Sequence, residues 1–455
     1  MKVHFIAIGG SAMHNLAIAL HLKGFQVTGS DDEIFNPSKS RLEKHGILPN
    51  EWGWFPEKIT SDLDAIILGM HAREDNPELQ EAKKIGLRIY SYPEYIYEQT
   101  KNKTRVVIGG SHGKTTTTSM IMHVLKENGI DFDYMVGAQL DGFETMVKLT
   151  HEAPIAIFEG DEYLASPIDR RPKFHLYHPH IAMLTGIAWD HINVFPTFDN
   201  YLDQFGQFIE LIEDKGSLIY FEGDQHLQNL VSQSKNNITK IPYKTPAHKT
   251  KGNQTILIHE NGETPLQIFG QHNLQNLNGA FKVCQQLGVT DVQFYSAIQN
   301  FSGAAKRLQK LEEKENTSVY MDFAHSPSKL KATTQAVKEQ YPSRKLIACM
   351  ELHTFSSLKE DFLPQYRDSM KNADEAIVYF NPETLNHKKL PSISIKQVED
   401  AFGGDNLKVY TDSNQMLESL VSRQWNDANL LLMSSGNFSG IDLPKLAKTV
   451  IEKLE

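Results

Sequence analysis

Gly109-Gly110-Ser111-His112-Gly113-Lys114-Thr115-Thr116 brings together the residue types that bind phosphate. A glycine-rich turn lets successive backbone N–H groups face one point, and a helix starting there adds positive potential. Lys114 has the reach to meet terminal phosphates, and the Thr115 hydroxyl is an oxygen donor for Mg²⁺. Gly110, Ser111, His112, Gly113 and Thr116 complete the candidate cradle. The general phosphate-loop pattern also asks for a glycine five residues before Gly113, where this chain has Ile108. The plain alternative is a glycine turn that caps a helix. Glu159 ends the apolar run Ile155-Ala156-Ile157-Phe158 and offers a carboxylate to a metal beside the loop. A solvated acidic loop is its plain alternative. Asp190-His191 follows the run Ile181–Leu184; magnesium prefers oxygen donors, so His191 is the less expected ligand on chemistry alone.

A second glycine turn, Ile8-Gly9-Gly10-Ser11-Ala12-Met13, has Asp31 downstream and comes close to a dinucleotide fingerprint. Ala7 and Ala12 stand where glycines would complete it, and on this turn alone an NAD enzyme is a fair reading. Three other features read as structural. His175, His178 and His180 are expected to be solvent-facing histidines ahead of a strand rather than a metal site. Trp52-Gly53-Trp54-Phe55 reads as a small packed loop rather than a platform for a base. Glu312-Glu313-Lys314-Glu315 reads as a solvated turn.

These residues need elements to hold them. Val3–Ile8 reads as a buried strand, followed by the glycine turn and a helical pattern over Ala12–Lys23. Phe25–Thr28, Ala65–Leu68 and Leu87–Tyr90 read as further strands, and such alternation implies a mainly parallel sheet. A polar, lysine-rich stretch from Tyr97 to Arg105 reads as a boundary. Arg105–Ile108 then opens a new strand that feeds the phosphate loop and a helical pattern to Asn128. The stretch from Ser217 to Ile268, with short alternating runs and polar gaps, suggests an antiparallel excursion. Near Phe301-Ser302-Gly303 the pattern restarts, with Val319–Met321, Lys345–Ala348, Ala376–Tyr379 and Asn429–Met433 as strands of another α/β unit.

The 455 residues suggest about three domains. With 40% hydrophobic and 22% charged residues, the composition is globular and argues against long disorder. A net charge of -10, from 46 basic and 56 acidic residues, argues against a general nucleic-acid binder but not against small anionic ligands. Cys284 and Cys349 are too few for a disulfide framework or a four-cysteine zinc site and read as buried reduced thiols. No apolar run approaches a membrane span, and the N-terminus runs straight into a strand with no cleavable signal ahead of it. A cytoplasmic, multi-domain α/β enzyme is the expectation.

Motifs spread along the chain then converge. The shorter loop Gly-Ser-His-Gly-Lys-Thr, Glu159 in Glu-x-Asp-Glu, and His191 in Asp-His resemble the Mur ligase family of ATP-dependent amide-forming enzymes. Gly270-Gln271-His272-Asn273-Leu274-Gln275-Asn276 is similar to that family's Gly-x-His-Asn-x-x-Asn segment. Lys306-Arg307 after Phe301-Ser302-Gly303, and Asp322-Phe323-Ala324-His325-Ser326-Pro327, resemble its segments leading into and opening the third domain. The resemblance spans nearly the whole chain and implies a three-domain α/β architecture. It places a Rossmann-like UDP-sugar-binding domain over residues 1–101, a central P-loop ATPase-type domain over 102–301, and a C-terminal α/β domain over 302–455.

The resemblance also implies roles. ATP would be held by the 110–116 loop, Asn273, Asn276, Arg307 and Asp322, and Mg²⁺ by Thr115, Glu159 and His191. Lys114, Glu159 and His191 would carry the chemistry, and closure of the third domain is expected. In this branch the first glycine turn would hold the diphosphate of a UDP-sugar rather than NAD, through Gly9, Gly10, Ser11 and Asp31, with His71 and Asn76 in another substrate loop. Several relatives carry a carbamylated lysine after the Asp-His pair. Here no lysine lies between Lys173 and Lys215, and Phe205 falls near the expected place. Tyr163, the basic segment Asp169–Phe174 and Met433-Ser434-Ser435-Gly436-Asn437-Phe438-Ser439-Gly440-Ile441 fit the murein-peptide-adding branch, although Ser435 and Ser439 depart from its pattern. The implied reaction joins UDP-N-acetylmuramic acid to L-Ala-γ-D-Glu-meso-diaminopimelate through an acyl phosphate, in peptidoglycan recycling. Arg170, Arg171 and Lys173 are candidate partners of the peptide carboxylates, and His353 lies in a C-terminal site segment. The alternatives are an alanine-adding ligase, an NAD-dependent oxidoreductase and a non-catalytic nucleotide-binding regulator. The expected partners are small molecules, with no nucleic acid and no membrane, on a monomer or weak homo-oligomer.

Overall fold

The computed structural model describes residues 1–140, 142–189 and 194–453. They form two compact units, Met1–Lys244 with Asn276–Phe294, and Thr245–Gln275 with Tyr295–Glu455.

The first unit opens with β1 (Lys2–Ile6), α1 (Ser11–Leu22), β2 (Gln26–Ser30), α2 (Ser38–Lys44), β3 (Ala65–Leu68), α3 (Pro77–Lys84), β4 (Ile89–Ser91) and α4 (Tyr92–Thr100). The strands lie in the order β2-β1-β3-β4 and all pair in parallel. β3 is wholly apolar and wholly buried, as a strand covered on both faces must be. Parallel pairing puts the carboxyl ends of β1, β2 and β3 at one edge, where Gly9, Asp31 and His71 follow them.

The same unit continues with β5 (Thr104–Gly109), α5 (Lys114–Glu127), β6 (Phe132–Met135), β7 (Val147–Lys148), β8 (Ile155–Glu159), β9 (Ile181–Leu184), α6 (Phe198–Glu210), β10 (Ser217–Phe221), α7 (Gln225–Gln233) and β11 (Thr239–Tyr243). Their sheet runs β11-β10-β9-β5-β8-β6-β7, parallel except for the short β7. β5 therefore sits between β8 and β9, and the phosphate loop leaves the middle of the sheet with Glu159 beside it.

In the second unit, β12 (His248–Lys251), β13 (Gln254–His259) and β14 (Gly262–Leu266) make a small antiparallel sheet. α8 (Gln271–Gln286) begins in this unit and ends in the first. β15 (Gln309–Lys314), β16 (Thr317–Asp322), β17 (Lys345–Leu352), β18 (Glu375–Phe380), β19 (Leu407–Tyr410) and β20 (Ala428–Met433) lie in the order β15-β16-β20-β17-β18-β19. Only β15 is antiparallel.

Three expectations need correction. The antiparallel excursion is confined to 248–266, because β10 and β11 extend the parallel central sheet with α7 as their crossover. Glu312–Lys314 belongs to β15, and the turn follows at Glu315. His175 is buried: it stacks on Phe174 with ring centroids 4.8 Å apart, and Nε2 meets Gln204 O at 2.7 Å. Cys284 and Cys349 are buried free thiols, and burial pushes the Cys349 thiol up to about 12. No helix among the described residues is long and apolar enough to cross a membrane.

Candidate functional site

The loop between β5 and α5 is shaped by its own sequence and by the strand end beside it. Gly113, the N-cap of α5, takes φ +81°, a left-handed conformation that side chains disfavour. A Cβ there would lie 2.3 Å from Asn276 Oδ1. Gly113 has no side chain with which to cap α5, and a helix start of this kind presents N–H groups suited to an anion. Neighbouring β9 fixes the loop from the other side. The Thr185 hydroxyl is shared between Gly109 O, at 3.2 Å, and His112 O. Ser111 N donates to Gly186 O at 3.0 Å, and His112 Nδ1 meets Ser111 O at 2.8 Å.

Two acidic side chains meet the first two residues of α5. Lys114 Nζ donates to Gly110 O and to Glu162 Oε2, each at 2.7 Å. Burial opposes the ammonium charge, but Glu162, Asp161 and Glu159 outweigh it, and the Lys114 pKa rises. Thr115 Oγ1 donates to Glu159 Oε1 at 2.8 Å, and Glu159 Oε2 accepts from Gly137 N at 2.8 Å. A hydroxyl and a carboxylate side by side are all-oxygen donors, which suits Mg²⁺. Asp190 and His191 lie outside the described residues. Among the described residues no group of three or more His, Cys, Asp or Glu side chains is assembled for a metal. Glu162 was not singled out from the sequence. It is the last acid of Glu159-Gly160-Asp161-Glu162, and only the turn after β8 decides which acid faces the lysine.

The candidates of the other unit form their own cluster. Asp322 Oδ1 accepts from Ala324 N at 2.6 Å and Oδ2 from Leu308 N at 2.5 Å. Phe323 N donates to Lys306 O at 2.8 Å, and the Arg307 guanidinium sits 4.6 Å above the Phe323 ring. Asp322 thus fastens the strained turn at Lys306 and Leu308, φ +57° and +45°, and sets where Arg307 stands. Burial raises the Asp322 pKa, and Arg307 opposes the rise. Asn273 is buried with its amide donating to Phe269 O at 2.9 Å, one turn back in its own helix start. Asn276, three residues on, is the one of the pair that reaches the phosphate loop.

At the edge of the first sheet, Gly9 N donates to Asp31 Oδ2 at 2.6 Å. Burial lifts the Asp31 carboxyl to about 6, with Asp32 adding to the rise and the Gly9 N–H opposing it. Gly10 is the N-cap of α1 without a side-chain cap bond, and Ser11 is exposed as the first residue of that helix. Asp31 O accepts from Gly53 N at 2.7 Å, which brings the Trp52–Phe55 loop against the same turn. Trp52 is exposed, with Lys39 Nζ 5.9 Å from its ring centroid. His71 is exposed past the end of β3, and Asn76 caps α3 through bonds from Glu78 N and Leu79 N.

Comparison with known proteins covers both units. Residues 2–104 match the Mur ligase family catalytic domain, 108–284 the Mur ligase middle domain, and 306–436 the Mur ligase glutamate ligase domain. The UDP-N-acetylmuramate–L-alanine ligase of Caldicellulosiruptor bescii is 31% identical over 397 residues, which cover 83% of each chain. The murein peptide ligase of Psychrobacter arcticus has a similar structure, with TM-score 0.65, 22% identity and full coverage of both chains. MurC, the UDP-N-acetylmuramate–alanine ligase of Thermotoga maritima, aligns with TM-score 0.70 and 20% identity, over 100% of this chain and 99% of its own. At these identities the structural likenesses speak for the fold.

Proposed function

Because the chain belongs to the Mur ligase family, whose members are ATP-dependent amide-forming ligases, we propose that it joins UDP-N-acetylmuramic acid to the peptide L-Ala-γ-D-Glu-meso-diaminopimelate. The observation that carries the ATP reading is the start of α5, where Lys114 and Thr115 each meet a buried acidic partner. The proposed domains are 1–101 for the UDP-sugar, 102–301 for ATP and 302–455 for completing the ATP and peptide sites, in a cytoplasmic protein.

A carboxylate is a poor electrophile and must be activated. The lactyl carboxylate oxygen attacks the γ-phosphorus of ATP, ADP departs with the broken P–O electron pair, and an acyl phosphate forms. Lys114 and the N–H groups at the start of α5 supply positive potential where charge builds on the transferring phosphoryl group. Thr115, Glu159 and His191 would hold Mg²⁺, which supplies charge neutralisation to the phosphate oxygens when bound. The peptide amine then attacks the acyl carbon, phosphate leaves with the C–O pair, and the nitrogen's proton passes to water. Arg307, set by Asp322, and Asn276, beside the loop, are the proposed further nucleotide contacts.

The peptide acceptor is favoured by Tyr163 and by the turn that follows β20. Glu351 Oε2 accepts from Phe438 N at 2.9 Å and from the Ser434 hydroxyl, which anchors that turn. Ser439, a departure from the branch pattern, is fixed by Tyr379 at 2.7 Å and Asn381 at 3.0 Å. L-alanine is the second reading, favoured by the 31% identical relative. Phosphate release from ATP with UDP-N-acetylmuramic acid decides between them. Release with the tripeptide alone supports the first reading, release with L-alanine alone the second, and silence with both refutes the ligase assignment for this chain.

A further inference from the structure

We propose that Glu162, oriented by Tyr201, is a positioning residue that fixes the Lys114 ammonium at the phosphate loop. The inference rests on the nucleotide reading of that loop, but it concerns two residues to which that reading gives no part.

The basis is a run of hydrogen bonds with one direction. Tyr201 OH donates to Glu162 Oε1 at 3.0 Å. A phenol has a single proton, so the 2.9 Å contact between Ser111 Oγ and Tyr201 OH runs from serine to tyrosine. Ser111 Oγ in turn accepts from Ala188 N at 2.8 Å. Each donor from Ala188 through Ser111 and Tyr201 points toward the Glu162 carboxylate, and such chains strengthen by mutual polarisation. The other carboxylate oxygen takes the Lys114 ammonium at 2.7 Å, with side-chain exposure of 1% for the acid and 13% for the base.

Packing delivers the tyrosine. Thr197 caps α6, accepting from Asn200 N, and Tyr201 lies on its first turn. The Tyr201 ring is fully buried, edge-on to Phe205 with centroids 5.1 Å apart and tilted against Phe195 at 5.4 Å. Its hydroxyl is thereby held beside a loop 90 residues earlier in the chain. The consequence falls on Lys114. An ammonium has three protons in tetrahedral array. Two go to Gly110 O and Glu162 Oε2, and fixing two directions fixes the third. A lysine held by one bond would sweep a cone; held by two, it presents one N–H along one line.

Glu162→Gln keeps the shape and removes the charge, and Tyr201→Phe keeps the ring and removes the donor. The first readout is acetylation of Lys114 by sulfosuccinimidyl acetate at pH 8, followed by mass spectrometry of the Lys114 peptide. Without the carboxylate the amine keeps only its bond to Gly110 O and is freer to react, so E162Q should label about tenfold faster than wild type, with Y201F in between. The second readout is steady-state kinetics. E162Q should lower kcat about tenfold with a smaller change in the KM for ATP, because a mispointed lysine costs more in the transition state than in binding. Y201F should show the same split more weakly. Labelling of Lys114 at the wild-type rate in both variants would overturn the proposal, as would KM rising in step with the fall in kcat. A wild-type protein that releases no phosphate with either acceptor would defeat the ligase reading alone, since labelling still decides the role of Glu162.

Discussion

Alanine at Gly113 should damage nucleotide binding far more than it damages the fold, and Gly129 supplies the control. The two glycines flank α5, at its N-cap and just past its end, with φ +81° and +67°. Placing alanine in either left-handed position costs about 1–2 kcal/mol of backbone strain. At Gly129 a Cβ meets nothing within 4 Å, so strain is the whole effect. At about 2–4 °C per kcal/mol for a large domain, G129A should melt a few degrees low. At Gly113 the Cβ would also lie 2.3 Å from Asn276 Oδ1 and 3.0 Å from its Cγ and Nδ2, where ordinary contact begins near 3.4 Å. Asn276 or the loop must therefore give by about 1 Å. Displacements of that size at a binding site are expected to weaken a preorganised contact strongly. We predict a loss of about tenfold in affinity for a fluorescent ADP analogue with Mg²⁺, near 1.4 kcal/mol, for G113A and none for G129A. Equal affinity in both variants, with equal melting shifts, would refute the claim that Gly113 is needed for room rather than for its turn alone.

Three further outcomes follow from the same contacts. Thr115→Val removes the donor to Glu159 Oε1 while keeping the side-chain shape, so the Mg²⁺ concentration for half-maximal nucleotide binding should rise about tenfold; an unchanged Mg²⁺ titration would remove Thr115 from the metal set. The Asp31 carboxyl is raised to about 6 in the folded chain, against about 3.9 when unfolded, so the folded state takes up the extra proton between those values. The cost of the buried charge is therefore present above pH 6 and relieved as pH falls, and Asp31→Asn should melt higher than wild type at pH 7.5 with a gap that narrows by pH 5. A gap independent of pH would contradict this assignment. Arg105 is 2% exposed and donates to Tyr177 O, His178 O and Lys101 O and to Glu213, which one ammonium cannot replace. Arg105→Lys should cost about 3 kcal/mol of stability by urea midpoint, and a neutral result would show that water satisfies those carbonyls.

Much of the fold was readable because its signals are local. Short apolar runs such as Ala65–Leu68 and Ile181–Leu184 became strands over the same residues, since nothing but burial on both faces suits them. The misreadings lie where sequence pattern and burial disagree. Ser217–Phe221 and Thr239–Tyr243 carry polar neighbours and pattern like hairpin strands, yet they join the parallel sheet because α7 supplies the crossover. His175 looks like a surface histidine by type, but its stacking on Phe174 and its bond to Gln204 O come from helix α6 packing over it.

At the site itself the division is sharper. The sequence alone determines that a strand ends at Gly109, that a left-handed glycine precedes a helix at Lys114, and that Thr115 follows it. Those are decisions of backbone conformation within a few residues, and glycine and helix-start chemistry make them whatever lies around. Tertiary structure alone decides which acid Lys114 meets and brings Glu159 within reach of Thr115. Glu159 reaches Thr115 from a neighbouring strand, Glu162 reaches Lys114 across 48 residues, and Tyr201 reaches Ser111 across 90. Glu159 could be picked out by its place at a strand end, but nothing in the spacing of Asp161 and Glu162 selects which of them meets Lys114. The selection comes from strand register, which sets Ile108 opposite Glu159, and from the aromatic packing of α6, which aims one phenol at one carboxylate.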